Sequence, residues 1–140
     1  MMRTVLALAA GVVIGGFALS HDEKIGAKPK NVSEKDIAEK LDGKETKATA
    51  VEVTLEPGQE SAPHRHPGPV FGYVLEGEYE WAIDKESAKV LKAGETFYEP
   101  AGCLHRVSKN PAVKGKTRIL AWVLLPRDAK SLVIPEPKKE

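Results

Sequence analysis

The chain has 140 residues, which is enough for one domain with its own core and too few for two. Its 21 Lys and Arg residues nearly balance its 20 Asp and Glu residues, so the composition does not suggest the clustered basic face that a nucleic-acid partner requires. With a single Cys the chain cannot form an internal disulfide, and the fold must be stabilised by packing alone.

The N-terminal segment has the features of a signal peptide. Arg3 gives a short positive end, residues 4–19 are almost unbroken apolar, and Ala18 and Ser20 are the small residues of a cleavage site. A retained membrane anchor is the alternative, but an apolar run of about 15 residues is shorter than the ~20 that span a bilayer. We therefore predict a signal peptide over residues 1–20, cleaved after Ser20. The exported protein, periplasmic or extracellular, would then have no stable membrane insertion.

Residues 21–45 are predicted to form a polar, flexible leader that contains one short helix. Ser33 is a suitable helix cap, because Asp36 follows it at three residues and Ile37 begins an apolar spacing. The helix is expected to end before Gly43.

From residue 46 the pattern changes to that of β-strands. Val51, Val53 and Leu55 alternate with polar residues, which predicts a strand with one buried face. Further short strands, separated by Gly and Pro turns, are expected at residues 70–75, 79–83, 90–91, 96–99, 104–108 and 117–125. This spacing predicts an all-β barrel or sandwich over residues 46–126, followed by a C-terminal arm over residues 127–140.

Three of the four histidines lie in two short segments of this β region. His64 and His66 are separated by one residue, so on an extended strand both imidazoles point to the same face. His105 on a neighbouring strand could complete a pocket of three nitrogens. Such a pocket suits a divalent transition metal (Fe, Mn, Ni, Zn or Cu) and leaves coordination positions open for a ligand. The alternative is three histidines that share no ion.

These segments resemble the two motifs of the cupin superfamily. The first motif, G-x5-H-x-H-x3,4-E-x6-G, is matched by Gly58, His64, His66 and Gly77. The second, G-x5-P-x-G-x2-H-x3-N, is matched by Gly94, Pro100, Gly102 and His105. The resemblance implies a double-stranded β-helix (jelly-roll) barrel, here with one short N-terminal helix. It also implies that His64, His66 and His105 bind the metal, as in the quercetin-dioxygenase-like group.

Two positions depart from the motifs. Val70 stands where the metal-binding Glu belongs, and Lys109 stands where the Asn belongs, with Asn110 one place late. Val70 cannot coordinate a metal, so the implied ligand set lacks its carboxylate. Strand alternation places Glu99 on the same face as Phe97, and an inward-facing Glu is costly unless it is paired or bound to an ion. We hypothesise that Glu99 reaches the metal site as a ligand, a support for a ligand or a general base; the alternative is a position in water at the rim.

Two small residues near the motifs each allow two interpretations. Gly72 either leaves space beside the ion for a small molecule or relieves a bulge in its strand. Cys103 is either a soft ligand or redox-sensitive thiol near the pocket mouth, or small apolar filler.

The resemblance implies metal-dependent chemistry on a small organic molecule, of the kind performed by dioxygenases of flavonols and diketones. One alternative is a non-catalytic module that binds a metal or a small ligand, because one barrel hosts many functions. Another is a purely structural barrel. A homodimer that pairs through sheet faces is also expected.

Overall fold

The computed structural model describes residue 27 and residues 29–137, so the predicted signal peptide lies outside the described residues and stays a prediction. The described part of the chain forms ten β-strands and no helix. The strands are β1 (Lys30–Leu41), β2 (Lys44–Leu55), β3 (His64–Arg65), β4 (Val70–Glu76), β5 (Glu78–Ile83), β6 (Lys89–Lys92), β7 (Thr96–Glu99), β8 (Leu104–Lys109), β9 (Thr117–Pro126) and β10 (Ile134–Pro135). A helix long and apolar enough to cross a bilayer is not found among the described residues.

The strands form two antiparallel sheets of five strands each. One sheet has the order β1-β2-β9-β4-β7 and the other the order β10-β3-β8-β5-β6. Their facing sides enclose the core, in which Leu55, Val74, Tyr79 and Leu125 are at most 1% exposed. Buried and exposed residues alternate along β4, as expected for a sheet with one face against the core. The predicted all-β, double-sheet fold is confirmed.

The short helix predicted after Ser33 is wrong. Those residues belong to β1, which pairs antiparallel with β2 from Lys30 opposite Glu52 to Leu41 opposite Lys44. The turn between the two strands consists of Asp42 and Gly43, both with positive φ, and Asp-Gly is a strong signal for a two-residue hairpin. The hairpin and the hydrogen bonds along β2 therefore override the local helix-capping pattern.

Gly72 makes room for an aromatic ring of the core. A Cβ at this position would lie 1.9 Å from Cζ of Phe97, whose side chain is buried. The irregular pairing of β4 falls elsewhere, between Val74 and Glu76. Neither the space for a ligand nor the relief of a bulge explains this glycine; close packing with Phe97 does.

Asn110 secures the connection after β8. Its side-chain Nδ2 donates hydrogen bonds to the carbonyls of Leu55 and Gly115, and its Oδ1 accepts one from the amide of Ala112. The residue is fully buried. An Asn one place beyond the motif position thus has a structural role between the two sheets.

Candidate metal centre

Pairing between β3 and β8 brings the histidines together. His64 lies directly opposite His105 in the register of these strands, and His66 follows β3 immediately. Ring centroids are 4.9 Å apart for His64 and His66, and 4.9 Å apart for His64 and His105. One nitrogen from each residue lies within 4.8 Å of the other two. The predicted convergence is confirmed, and the three residues could hold a metal ion.

Backbone carbonyls orient two of the imidazoles. His64 Nδ1 donates to the Ala62 carbonyl at 2.8 Å, and His66 Nδ1 donates to the Leu132 carbonyl at 2.7 Å. Because a carbonyl oxygen only accepts hydrogen bonds, the proton of each neutral ring must lie on Nδ1. Both Nε2 atoms then keep a free lone pair, which is the state that binds a metal.

Glu99 lies inside the barrel beside the histidines. β7 pairs with β4 so that Glu99 stands directly opposite Val70, the position at which the motif Glu is missing. Its Oε2 is 3.6 Å from His66 Nε2, its Oε1 is 3.2 Å from His105 Nδ1, and the residue is 1% exposed. The alternative position in water is therefore wrong. The carboxylate that the motif places at Val70 on β4 is thus replaced by Glu99 at the paired position on the neighbouring strand β7.

The residues at this centre fit a divalent transition metal. Glu99 Oε2 and His105 Nδ1 are buried, and neither has a hydrogen-bond partner among the described residues. A buried polar atom left unsatisfied costs about 1–3 kcal/mol, so such atoms are unusual in a folded protein. A metal ion bound by the three imidazoles would satisfy these atoms, and the carboxylate of Glu99 would offset part of the charge of the ion.

Burial determines the protonation of these groups. It lowers the pKa of His66 to about 4 and the pKa of His105 to about 3, with neighbouring imidazoles adding to the effect. It raises the pKa of Glu99 to about 7, against the opposing effect of the hydrogen bond that Trp81 Nε1 donates to Oε1. The short contacts between Glu99 and the two rings are consequently not ion pairs at neutral pH, because the imidazoles are uncharged. Neutral rings are the form in which histidine binds metals.

The sequence analysis did not identify the residues that surround the three histidines. The Tyr79 hydroxyl is 3.3 Å from His105 Nε2 and 2.9 Å from Ser108 Oγ, and Trp81 holds the carboxyl of Glu99. The alternation of β5 does place Tyr79 and Trp81 on one face, which was the available signal. The Leu132 carbonyl left no signal, since a backbone group can belong to any residue type.

Cys103 is not part of the histidine cluster. Burial raises the pKa of its thiol to about 11, so the thiolate form that binds metals is disfavoured. The side chain packs against the edge of the hydrophobic core. The structure therefore supports the interpretation of Cys103 as apolar filler.

A cavity of about 470 Å³ opens beside the three histidines. This volume lies in the range of small-molecule sites, roughly 300–1,000 Å³. Its apolar wall is formed largely by Val51, Val53, Val70, Phe97, Ile119, Ala121, Val123 and Leu132. Its polar lining includes His64, His66, His105 and Glu99, and none of the described residues that line the cavity is Lys or Arg.

Comparison with known proteins identifies the family. A model of the cupin domain matches residues 51–123, more than half of the chain and a range that contains all three histidines. The chain belongs to the cupin family. A comparison with curated proteins gives no match for this cupin.

Solved structures share the fold of this cupin. One is an uncharacterized conserved protein with a double-stranded β-helix domain from Klebsiella pneumoniae, at 22% identity, covering 81% of this chain and 86% of its own, with a TM-score of 0.61. A second is the TT1209 protein from Thermus thermophilus, at 21% identity, covering 72% and 86%, with a TM-score of 0.57. A third is an RmlC-like cupin from Shewanella frigidimarina, at 22% identity, covering 68% and 96%, with a TM-score of 0.51. At these identities the likeness shows the fold alone.

Proposed function

We propose that this cupin is an exported metal-binding protein that acts on a small organic molecule, with dioxygenase-like chemistry at His64, His66 and His105. One observation carries the proposal: three imidazoles and a buried carboxyl oxygen without a hydrogen-bond partner among the described residues meet at the wall of an apolar cavity. When bound there, a metal such as Fe²⁺ supplies Lewis-acid and oxygen-activating chemistry.

The surrounding residues prepare the site. The backbone partners of His64 and His66 hold both rings with Nε2 free, and Trp81 holds Glu99 so that Oε2 is left for a ligand or a proton. Because its pKa lies close to neutrality, Glu99 can accept a proton from a molecule in the cavity and later return it. The apolar wall makes the surroundings of the site less polar than water, which strengthens electrostatic interactions within it.

The lining favours a largely apolar substrate with one chelating end. No described Lys or Arg side chain lines the cavity to pair with a second negative group, and most of the wall is hydrocarbon. Diketones and flavonols have this chemistry: two neighbouring oxygens can bind a metal while the rest of the molecule packs against apolar side chains. A small dianion would lack partners for its second charge.

Oxygen consumption by anaerobically Fe²⁺-loaded protein tests the proposed function. We expect uptake that depends on an added diketone or flavonol, with no uptake on addition of a small dicarboxylate. The His64→Ala variant should lose the activity, because the metal loses one of its ligands. The wild-type protein could instead bind Fe²⁺ and the organic molecule but consume no oxygen with diketones, flavonols or thiols. That result would contradict the proposed catalysis and identify a non-catalytic binding module.

Export is part of the proposal and depends on the signal-like residues 1–20. Protein isolated from its natural source should begin at His21 when its intact mass is measured. A mass that includes the first 20 residues would contradict export by this route.

A homodimer is also proposed, on the outer face of the sheet β1-β2-β9-β4-β7. Phe71 pairs in register with Tyr98 on one side and Trp122 on the other, so three aromatic side chains, each about half exposed, form one row. Exposed apolar rows of this kind are typical of protein interfaces. Light scattering should report twice the mass of one chain, and a monomer would contradict the proposal.

A further inference from the structure

The segment after β9 returns to the metal centre. Residues 131–136, here called the latch, include β10, which pairs with β3 so that Ile134 lies opposite Arg65 and Pro135 opposite His64. The amide of Glu136 donates to the carbonyl of Pro63 at 3.2 Å. The latch is therefore hydrogen-bonded to β3, the short strand that contains His64.

The latch also contacts the second histidine. The carbonyl of Leu132 accepts the hydrogen bond from His66 Nδ1 at 2.7 Å, although 66 positions separate the two residues in the chain. This is the bond that leaves His66 Nε2 free for a metal. Without the latch the ring would lose the partner that determines its tautomer and its rotation.

A paired charge holds the latch in place. Arg65, between the two histidines, donates from Nε and Nη2 to the carboxylate of Glu136 at 2.9 and 3.2 Å. Its Nη1 donates to the carbonyl of Gly102 at 2.8 Å. A two-bond Arg–carboxylate pair has a well-defined geometry, so the contact favours one position of the latch.

Latch side chains form part of the cavity. Ser131, Leu132, Val133 and Pro135 line it, and Leu132 packs against the hydrophobic core. One short segment thus lines the cavity and orients a histidine of the metal centre.

We propose that the latch is a positioning element of the metal site: its closure aligns His66 for the metal and completes the cavity wall. The inference rests on the proposed metal binding but not on turnover. Coupling between two sites is reciprocal, so if a closed latch strengthens metal binding, a bound metal must favour the closed latch by the same factor.

Two truncations of the full chain, titrated with Co²⁺ against a competing chelator, test the positioning role. Ending the chain after Lys130 removes the latch, whereas ending it after Glu136 removes four residues and keeps the latch. We expect the first variant to bind Co²⁺ about 10- to 100-fold more weakly, the usual cost of losing the hydrogen-bond partner of a metal-binding histidine. The second should bind as the full-length protein does. Equal affinity of both truncations and the full chain overturns the inference.

Hydrogen exchange in the latch distinguishes coupling to the metal from a merely structural role, because only coupling makes the exchange rate depend on Co²⁺. Added Co²⁺ should slow exchange of the Glu136 amide in the full-length protein by a factor similar to the affinity lost on truncation. Exchange that Co²⁺ leaves unchanged contradicts the coupling. This measurement also decides the matter if the chain that ends after Lys130 does not fold.

Point variants supply a matched comparison. Glu136→Gln should weaken Co²⁺ binding several-fold, because the latch is then less often closed. Glu52→Gln breaks a similar half-exposed pair, with Arg118 at 2.8 Å on the other sheet, and should leave Co²⁺ affinity unchanged. Equal effects of the two substitutions contradict the latch. If the full chain itself binds no Co²⁺, the proposed metal site fails. If the full chain binds Co²⁺ and the latch variants bind it with unchanged affinity, the inference alone fails.

Discussion

Replacing His105 with Ala is expected to weaken Co²⁺ binding by more than about 100-fold, because a direct ligand is lost and the loss should exceed the 10- to 100-fold that supporting residues cost. In wild-type protein, free Co²⁺ at about 100 times its Kd should raise the free energy of unfolding by about 3 kcal/mol. The His105→Ala variant should show almost none of this stabilisation at the same concentration. Isothermal titration and thermal unfolding with and without Co²⁺ measure the two effects.

Arg106→Ala is the matched control for this substitution. Arg106 follows His105 on β8, but it is exposed and donates to the carbonyls of Asp84 and Glu86. Its removal should leave Co²⁺ affinity unchanged. A His105→Ala variant that binds Co²⁺ as tightly as Arg106→Ala does would show that His105 is not a ligand.

Replacing Glu99 with Gln is expected to have opposite effects on metal binding and on stability. Loss of the carboxylate beside His66 and His105 should weaken Co²⁺ binding by about 10- to 100-fold. In the metal-free protein the same change should stabilise the fold, because the amide can accept from Trp81 and donate to a histidine nitrogen without carrying a charge. A gain in stability with a loss of binding is typical of a residue kept for function.

The stabilisation by Glu99→Gln should depend on pH in a defined direction. Burial raises the pKa of Glu99 from 4.5 to about 7, so ionisation opposes folding. The stability that the protonated side chain of Glu99 contributes is fully present below about pH 4.5 and is lost as the pH rises through about 7. The wild-type free energy of unfolding, relative to that of Glu99→Gln, should therefore fall by about 2 kcal/mol between about pH 5 and pH 8.

Denaturant unfolding of both metal-free proteins across this pH range measures the difference. Glu80→Gln is a suitable control, because Glu80 alternates with the buried Tyr79 and Trp81 on β5 and so points away from the core. A wild-type curve that runs parallel to that of Glu99→Gln at every pH would show that the carboxyl of Glu99 does not titrate in a buried site.

Local sequence patterns were sufficient for the fold class and the three histidines. Alternation with period two identifies strands, and the fixed spacing around His64, His66 and His105 carries the motif resemblance. The same alternation predicted an inward-facing Glu99. What it could not show is that Glu99 stands opposite Val70, because the register between β4 and β7 depends on pairing of distant segments.

The errors arose where tertiary contacts override a local preference. Residues 30–41 have a helix-cap pattern, yet they pair along β2 because Asp42-Gly43 favours a hairpin. The C-terminal arm carried no pattern that linked it to the site. Its decisive group is the Leu132 carbonyl, which is the same in every amino acid, and only the folded chain shows that it contacts His66.

The location of a bound ion tests the central claim most directly. Anomalous diffraction from crystals grown with Co²⁺ should show a single strong site, with nitrogens of His64, His66 and His105 at about 2.1 Å from the ion. An oxygen of Glu99 should lie beside it. Crystals that take up the metal elsewhere, and leave the three rings without an ion, would contradict the account.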